Sequence, residues 1–595
     1  MNTFKTFFSK LKQRVSDSAS QYPVALASGI IIAVLAVYKV GLDSWTSTSL
    51  IASIIQLALV VNIALSLALV SYYDIQDKAK LTIQLAIGII TPIVLSLVTY
   101  YFGTGPYLFG LANGYPMAEE IIIQPKAIYT LVALTIIFTL IYLWLEAKNT
   151  YANKFEQTFY ILNRNFFSAI FFFIVMILGS FIVVSAYENL ISNIFVSNIY
   201  EYLLIISGLI AYLIFLAYLA NAYEGIKDLT ENKFIKILFT NILTVIILAL
   251  GLVLVLWVFT LLVGDNEVRY ETLLAMVNLY FIVGLWVYIN NANYQTNFTK
   301  VYGLAYPLIS IVTLVLELWT ILTRFGFYGI KVADYAAILV AIFGLIIAVL
   351  ILIKQKALYN KMITILITLL VISILPFTGI YNLPYMQQYH RLKNTLVAND
   401  MLNGDVIVAK ENLDKDAKYI ITDATNYLLT DARYTKSTLL AGVANENAFK
   451  ETFGFLPIYT VDGGYNQNYL TFELEEKLVD VSAYNYVLAR DPYGEINEMF
   501  SHQDQNYKLT LTSDDMLRLT IDGDDVIAES LTDFFKNIEA KGTATSSLTL
   551  ADMSVAFESE TVNLYIVFDF VGVTYENDVF IYREYRVPII YFNFK

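Results

Sequence analysis

Glu317 and Arg324 stand seven residues apart in a long apolar run, on roughly one face of a helix. Ionised groups are expensive in such surroundings, so each marks either a site or a paired charge at the rim. As a site, Glu317 would face a water-filled cavity and exchange a proton or hold an ion. As a rim pair, Glu317 and Arg324 would snorkel together to the outer interface. A second carboxylate pair, Glu119 and Glu120, closes a loop that already contains Gly103, Gly105, Pro106, Gly110, Gly114 and Pro116. On an outer loop, such a pair could act as a base or hold a divalent metal against the phosphates of a polyprenyl-phosphate sugar. A solvated loop accounts for the same two residues.

Other catalytic side chains are scarce. There is no cysteine and there are two histidines, which leaves out disulfides, thiolate metal sites and a cysteine nucleophile. His390 lies in Tyr389-His390-Arg391-Leu392-Lys393, and His502 lies in a polar stretch with Asp504. Neither belongs to a Ser-His-Asp context, a nucleophile elbow or a zinc-binding helix, and no phosphate-cradling glycine motif occurs. Asp462-Gly463-Gly464 and Asp522-Gly523-Asp524-Asp525 read as turns, the second as a hairpin. Its acidity could bind calcium, but the EF-hand spacing is missing. No catalytic residue, metal or cofactor is expected, and the balance lies against an enzyme.

The elements that would position Glu317 follow from composition. Of 595 residues, 57% are hydrophobic and 15% charged, against about 25% charged in ordinary soluble chains. Residues 1–382 hold 21 Lys+Arg and 18 Asp+Glu, a net of +3, whereas residues 383–595 hold 17 and 33, a net of −16. The acidic part repels nucleic acid. Apolar runs at 22–41, 45–71, 81–102, 126–146, 165–187, 199–221, 236–263, 270–289, 301–323, 333–353 and 361–382 each approach the ~20 residues needed to cross a bilayer. Their continuity excludes the alternation of a membrane β-barrel. The expected fold is a polytopic α-helical membrane bundle of about eleven transmembrane helices, followed by a soluble α+β domain.

Sixteen Lys and Arg fall on one set of loops, while Lys126, Arg269, Arg324 and Lys331 fall on the other, with Lys39 near that end of the first run. The positive-inside bias places the N-terminus in the cytoplasm and residues 383–595 outside. Residues 1–21, with Phe4, Phe7, Phe8, Leu11 and Val15 at helical spacing among basic residues, read as a cytoplasmic amphipathic segment on the inner leaflet. Gln56, Asn62, Asn241 and Asn278 read as interhelical hydrogen-bond groups, and Pro92 and Pro307 as kinks. Beyond the membrane part, helical periodicity marks 384–400 and 413–430. Alternation marks strands at 468–474, 479–489, 507–512, 515–521, 546–557, 561–574 and 578–593, with a helix near 529–541.

Several short motifs follow this layout: Phe159-Tyr160-Ile161-Leu162-Asn163-Arg164-Asn165-Phe166, Arg324-Phe325-Gly326 ahead of Asp334-Tyr335, Leu375-Pro376-Phe377, Gln388-Tyr389-His390-Arg391-Leu392-Lys393, Leu402-Asn403-Gly404-Asp405 and Tyr427-Leu428. Over roughly residues 20–440 the chain resembles the bacterial multi-pass proteins of the domain of unknown function 4153 family. That resemblance implies a bacterial plasma-membrane location and no established activity. The sequence therefore points first to a non-enzymatic membrane protein, with the lipid bilayer as one partner and an envelope glycan or protein bound by residues 383–595. An ion- or proton-coupled transporter using Glu317 would require that carboxylate to face the bundle interior. A lipid-linked glycosyltransferase would require Glu119 or Glu120 to line a groove.

Overall fold

The computed structural model describes residues 13–14, 16–42, 46–72, 78–106, 121–150, 155–190, 198–220, 236–263, 270–294, 296–354, 357–404, 406–435, 439–443, 445–458, 467–475, 479–489, 496–503, 505–512, 514–539, 545–576, 579–587 and 589–595. It is mostly helical, with a β-rich C-terminal region. The chain divides into two compact units, Met1–Pro457 and Ile458–Lys595.

Each apolar run becomes a helix, the form that satisfies every backbone polar group without water. They are α1 (Pro23–Lys39), α2 (Ser47–Tyr72), α3 (Lys78–Phe102), α4 (Pro125–Thr150), α5 (Phe155–Leu190), α6 (Ile199–Ala220), α7 (Thr244–Val263), α8 (Tyr270–Asn291), α9 (Asn297–Tyr328), α10 (Val332–Leu352) and α11 (Leu358–Ile374). A π-helical turn, Leu238–Leu243, carrying Asn241, leads into α7. Among the described residues nine helices are long and apolar enough to cross a membrane, while α1 and α11 are shorter, at 17 residues each. Helices α3 and α9 run on through Pro92 and Pro307. A two-stranded ribbon, β1 (Thr104–Pro106) with β2 (Ile121–Ile123), stands between α3 and α4.

Burial separates central helices from peripheral ones. Half of the apolar stretch of α2 and of α8 is buried, against 11% in α3 and α5. Ile89, Leu97, Ile182 and Val183 stand exposed on the latter two, a surface suited to lipid. At the centre α8 and α9 approach through a small residue. A Cβ on Gly284 would fall 2.2 Å from the Tyr306 ring, and the hydroxyls of Tyr302 and Tyr306 donate to Gly284 O and Phe281 O at 2.8 and 2.7 Å. Asn62 acts as the interhelical group expected of it, donating to Ser28 Oγ on α1 and Gly88 O on α3. Gln56 does the same toward Ile32 O.

The long apolar helices end before residue 383, but the first unit continues to Pro457. Helices α12 (Leu383–Ala398), α13 (Lys415–Leu428), α14 (Ala432–Thr435) and α15 (Glu446–Phe453), with the short pair β3 (Leu402–Asn403) and β4 (Val406–Ile407), close over their own core. Leu392, Leu396, Ile421, Ala424, Leu428, Phe449 and Phe453 fill it. Val397, expected on the same apolar face, is exposed instead. Polar contacts hold this layer to the α9–α10 turn. Gly329 there has φ +68, and a Cβ would meet the Gln387 and Gln388 amides at 2.6 Å. Those two glutamines bind the turn's backbone at Tyr328 and Ile330.

The second unit carries most of the acidity, with 24 Asp+Glu against 9 Lys+Arg, a net of −15. Among the described residues it has three four-stranded sheets and one helix, α16 (Thr532–Glu539). Strands β7 (Asn497–His502), β8 (Gln505–Leu511), β9 (Met516–Ile521) and β10 (Asp524–Ser530) form an antiparallel meander. The second sheet runs β11 (Thr545–Leu548), β5 (Gln467–Leu474), β14 (Phe570–Glu576), β15 (Val579–Arg586), with β11 parallel to β5. The third runs β12 (Ser554–Glu558), β13 (Val562–Val567), β16 (Ile589–Phe594), β6 (Tyr486–Ala489). The Asp522-Gly523 turn is a two-residue hairpin joining β9 and β10, with both residues at positive φ, as a primed turn requires.

Three long alternating runs prove to be two strands each. The break between β13 and β14 falls at Phe568–Asp569, where the chain leaves the third sheet for the second, and it returns between β15 and β16. Asp569 and Arg586 pair across these corners. The sequence run 479–489 contributes only β6, and β7 and most of β10 lie outside the expected strands. Arg583 lies over the Phe535 ring and bonds Asp515 and Glu539 in a largely buried cluster. Replacing it with methionine leaves two carboxylates without their cation, at a cost of about 3–5 kcal/mol. Limited proteolysis across a urea series should then cut residues 458–595 at lower urea; an unchanged midpoint would show the cluster to be dispensable.

Candidate functional site

Glu317 is fully buried. Helix α9 runs five residues past the expected end of its apolar run, to Tyr328, so Glu317 lies about 16 Å from that terminus at 1.5 Å per residue. Its Oε1 accepts a hydrogen bond from Asn278 Nδ2 on α8 at 2.6 Å, and Asn278 also donates to Leu274 O. Among the described residues, Glu317 Oε2 and Asn278 Oδ1 are both buried without a hydrogen-bond partner. Two further atoms in the same condition lie nearby in sequence, Ser310 Oγ two turns earlier on α9 and the Tyr280 hydroxyl on α8. The Tyr280 hydroxyl faces Gly251 on α7, where an added Cβ would fall 3.0 Å from it.

Arg324 does not neutralise Glu317. Its guanidinium lies 4.2 Å from the centroids of both the Tyr270 and Tyr328 rings, and among the described residues no ion pair joins it to Glu317. Tyr270 instead donates to Asp334 Oδ1, whose other oxygen caps the Lys331 N–H at the start of α10. The cation is satisfied by aromatic faces, which leaves the carboxylate to Asn278.

A second polar centre joins α10, α12 and α13. Asp423 accepts from Lys331 Nζ at 2.8 Å and from Arg391 Nη1 at 2.7 Å. The same Arg391 nitrogen donates to Gln388 Oε1. Tyr427 accepts from the Val332 N–H. Burial, with the Asp423 carboxylate adding to it, pushes the Tyr419 phenol up to about 12. Arg433 bonds Asp431, Asn382 and Tyr381 O, and Lys126 reaches Asn382 from α4.

Glu119 and Glu120 lie outside the described residues, as do Asp462-Gly463-Gly464, Asp504 and residues 1–12. His390 is exposed beside Tyr389. His502 stacks on Phe594 at 4.2 Å and meets Tyr486 edge-on. The sequence singled out Asn278 but did not connect it to Glu317, because nothing local to either run reports which helices become neighbours. Glu146 was missed altogether; it is buried and accepts from Ser71. Its place at the very end of an apolar run disguised it as a loop charge.

No family model, no curated protein and no solved structure matches the chain.

Proposed function

We propose that the chain is a non-enzymatic bacterial plasma-membrane protein whose helical unit couples ion or proton movement to the neutralisation of Glu317. One observation carries this reading: the carboxylate is fully buried against Asn278 and bonded to no cationic side chain among the described residues. An interior position is what coupled transport demands, and a paired charge at the rim does not produce it. The bias of Lys and Arg supports a cytoplasmic N-terminus with residues 383–595 outside. Membership of the domain of unknown function 4153 family belongs to the same proposal and rests on the short motifs alone. Proteoliposomes loaded with a pH-sensitive dye test the function under an imposed sodium, potassium or pH gradient. Flux present in the wild type and lost in E317Q supports it, and equal flux in both removes it.

A second reading, recognition of an envelope glycan or protein, is favoured by one face of the third sheet of the β-rich unit. Tyr484 stacks on Tyr565 at 5.3 Å and Tyr591 joins both. Val487, paired with Tyr591 in the register, is 59% exposed. Such an aromatic platform suits sugar rings or an apolar partner surface, and the net charge of −15 disfavours an anionic one. Tyr484→Ala with Tyr565→Ala should abolish binding of the full chain to purified cell-wall glycan or to envelope protein. Binding at wild-type strength would exclude this face.

A further inference from the structure

A second polar place in the membrane part is independent of Glu317. A cavity of about 800 Å³ opens where the C-terminal end of α1 meets the first turns of α2 and α6. Lys39, Ser49, Ser53, Gln56 and Glu201 supply its polar wall. Ser49, Ser53 and Gln56 recur at helical spacing, so α2 presents them as one stripe. The Lys39 ammonium donates to Ser53 Oγ at 2.7 Å, and among the described residues no carboxylate pairs with it. An ammonium has three N–H donors, and among the described residues Ser53 takes one of them.

The field in the cavity has a sign. Residues of the first turns of α2 and α6 line it, and a helix N-terminus carries partial positive charge. With Lys39 they favour an anionic group, and phosphate suits such a place. Glu201, exposed on the first turn of α6 and lining the same cavity, adds negative charge from that helix. A ligand with phosphate at one end and an amine a few bonds away matches both.

The remaining wall fixes the rest of the ligand. Leu204 and Ile205 line the cavity, and Leu204 and Val37 are 51% and 41% exposed on the outer surface of the helices. The polar pocket therefore opens sideways onto an apolar surface, where an occupant's tail would lie along the bundle. We infer that this cavity is a binding site for a phospholipid with an amine-bearing headgroup of the phosphatidylethanolamine class, phosphate on Lys39 and amine on Glu201.

Native mass spectrometry of the full chain in detergent tests this with three probes: phosphatidylethanolamine, phosphatidylglycerol and the chain-free headgroup glycerophosphoethanolamine. The wild type should retain phosphatidylethanolamine above the other two. Lys39→Met should weaken that retention about tenfold or more, the loss of one charge-assisted hydrogen bond, while Lys39→Arg keeps it. Glu201→Gln alters an exposed residue, so the fold should tolerate it. This variant should erase the preference for phosphatidylethanolamine over phosphatidylglycerol. Equal retention by the wild type and Lys39→Met would overturn the site. A chain-free headgroup held as firmly as the lipid, or a preference unchanged in Glu201→Gln, would overturn the assignment of the ligand.

Discussion

Replacing Glu317 with glutamine should leave the bundle folded and lower the proposed proton-linked flux by about tenfold or more. The reason lies in two orphan atoms. Asn278 Nδ2 already donates to Glu317 Oε1, while Glu317 Oε2 and Asn278 Oδ1 have no hydrogen-bond partner among the described residues. Protonation of Oε2 would remove the buried charge and give that oxygen a hydrogen of its own to donate. Without it a full charge and two unsatisfied acceptors stay buried, at a cost of several kcal/mol. On the proposed function, loss of that proton therefore requires water or a cation to reach the carboxylate. Glutamine carries the missing N–H permanently, so E317Q should melt at or above the wild-type temperature. Its proton-linked flux should fall by a factor of about ten or more, the weight of a single ~1.4 kcal/mol step being the smallest effect consistent with a coupling group. Infrared difference spectra across a pH step offer a direct check. A carboxyl band must appear in the wild type and vanish in E317Q; its persistence would assign the proton to another group. Glu317→Leu separates charge from hydrogen bonding, because one N–H of the Asn278 amide keeps Leu274 O while the other loses its acceptor, which should destabilise by about 1–3 kcal/mol.

A stability effect as large as that at Arg583 is expected at Asp423. Its two oxygens hold Lys331 and Arg391, and the Arg391 side chain is only 6% exposed. Two Arg391 nitrogens, Nε and Nη2, already lack a partner. Asp423→Ala thus leaves a buried guanidinium with the neutral Gln388 amide alone, and the cost is about 3–5 kcal/mol. Because Gln388 also holds the carbonyls of Tyr328 and Ile330, the loss should loosen the α9–α10 turn as well. Unfolding in mixed micelles measures it, and the double substitution Arg391→Leu with Asp423→Leu should recover most of the stability. If the double variant is no more stable than Asp423→Ala, the damage comes from lost packing and the charge argument fails.

What could be read from the chain follows the range of the forces involved. An apolar run of about twenty residues is a local signal, and each such run is found as a helix displaced by at most a few residues at most ends. The larger departures are the first ten residues of α5, where polar residues extend the helix, the last five of α9, and α11, which stops at Ile374, eight residues short of its expected end and just ahead of Leu375-Pro376. Asp522-Gly523 likewise announces its hairpin, because few residue pairs tolerate positive φ twice in succession. Strand lengths were less legible. Val562–Val567 and Phe570–Glu576 alternate almost without interruption, so only the decision of the chain to change sheets at Phe568–Asp569 separates them.

The sequence by itself determined that the first unit is a set of apolar helices, that an acidic β-rich part follows, and that Glu317 is a carboxylate in an apolar run. Each of these depends on composition or on spacing within one segment. Tertiary structure alone decided that Asn278, not Arg324, faces Glu317, since Arg324 finds the rings of Tyr270 and Tyr328 closer to its own end of the helix. It also drew residues 383–457 into the first unit through Gln388, Arg391 and Asp423, and brought Lys39, Ser53 and Glu201 from three helices around one cavity. Such pairings join residues tens to hundreds of positions apart. They are set by which helix faces pack together, a choice that no single segment encodes.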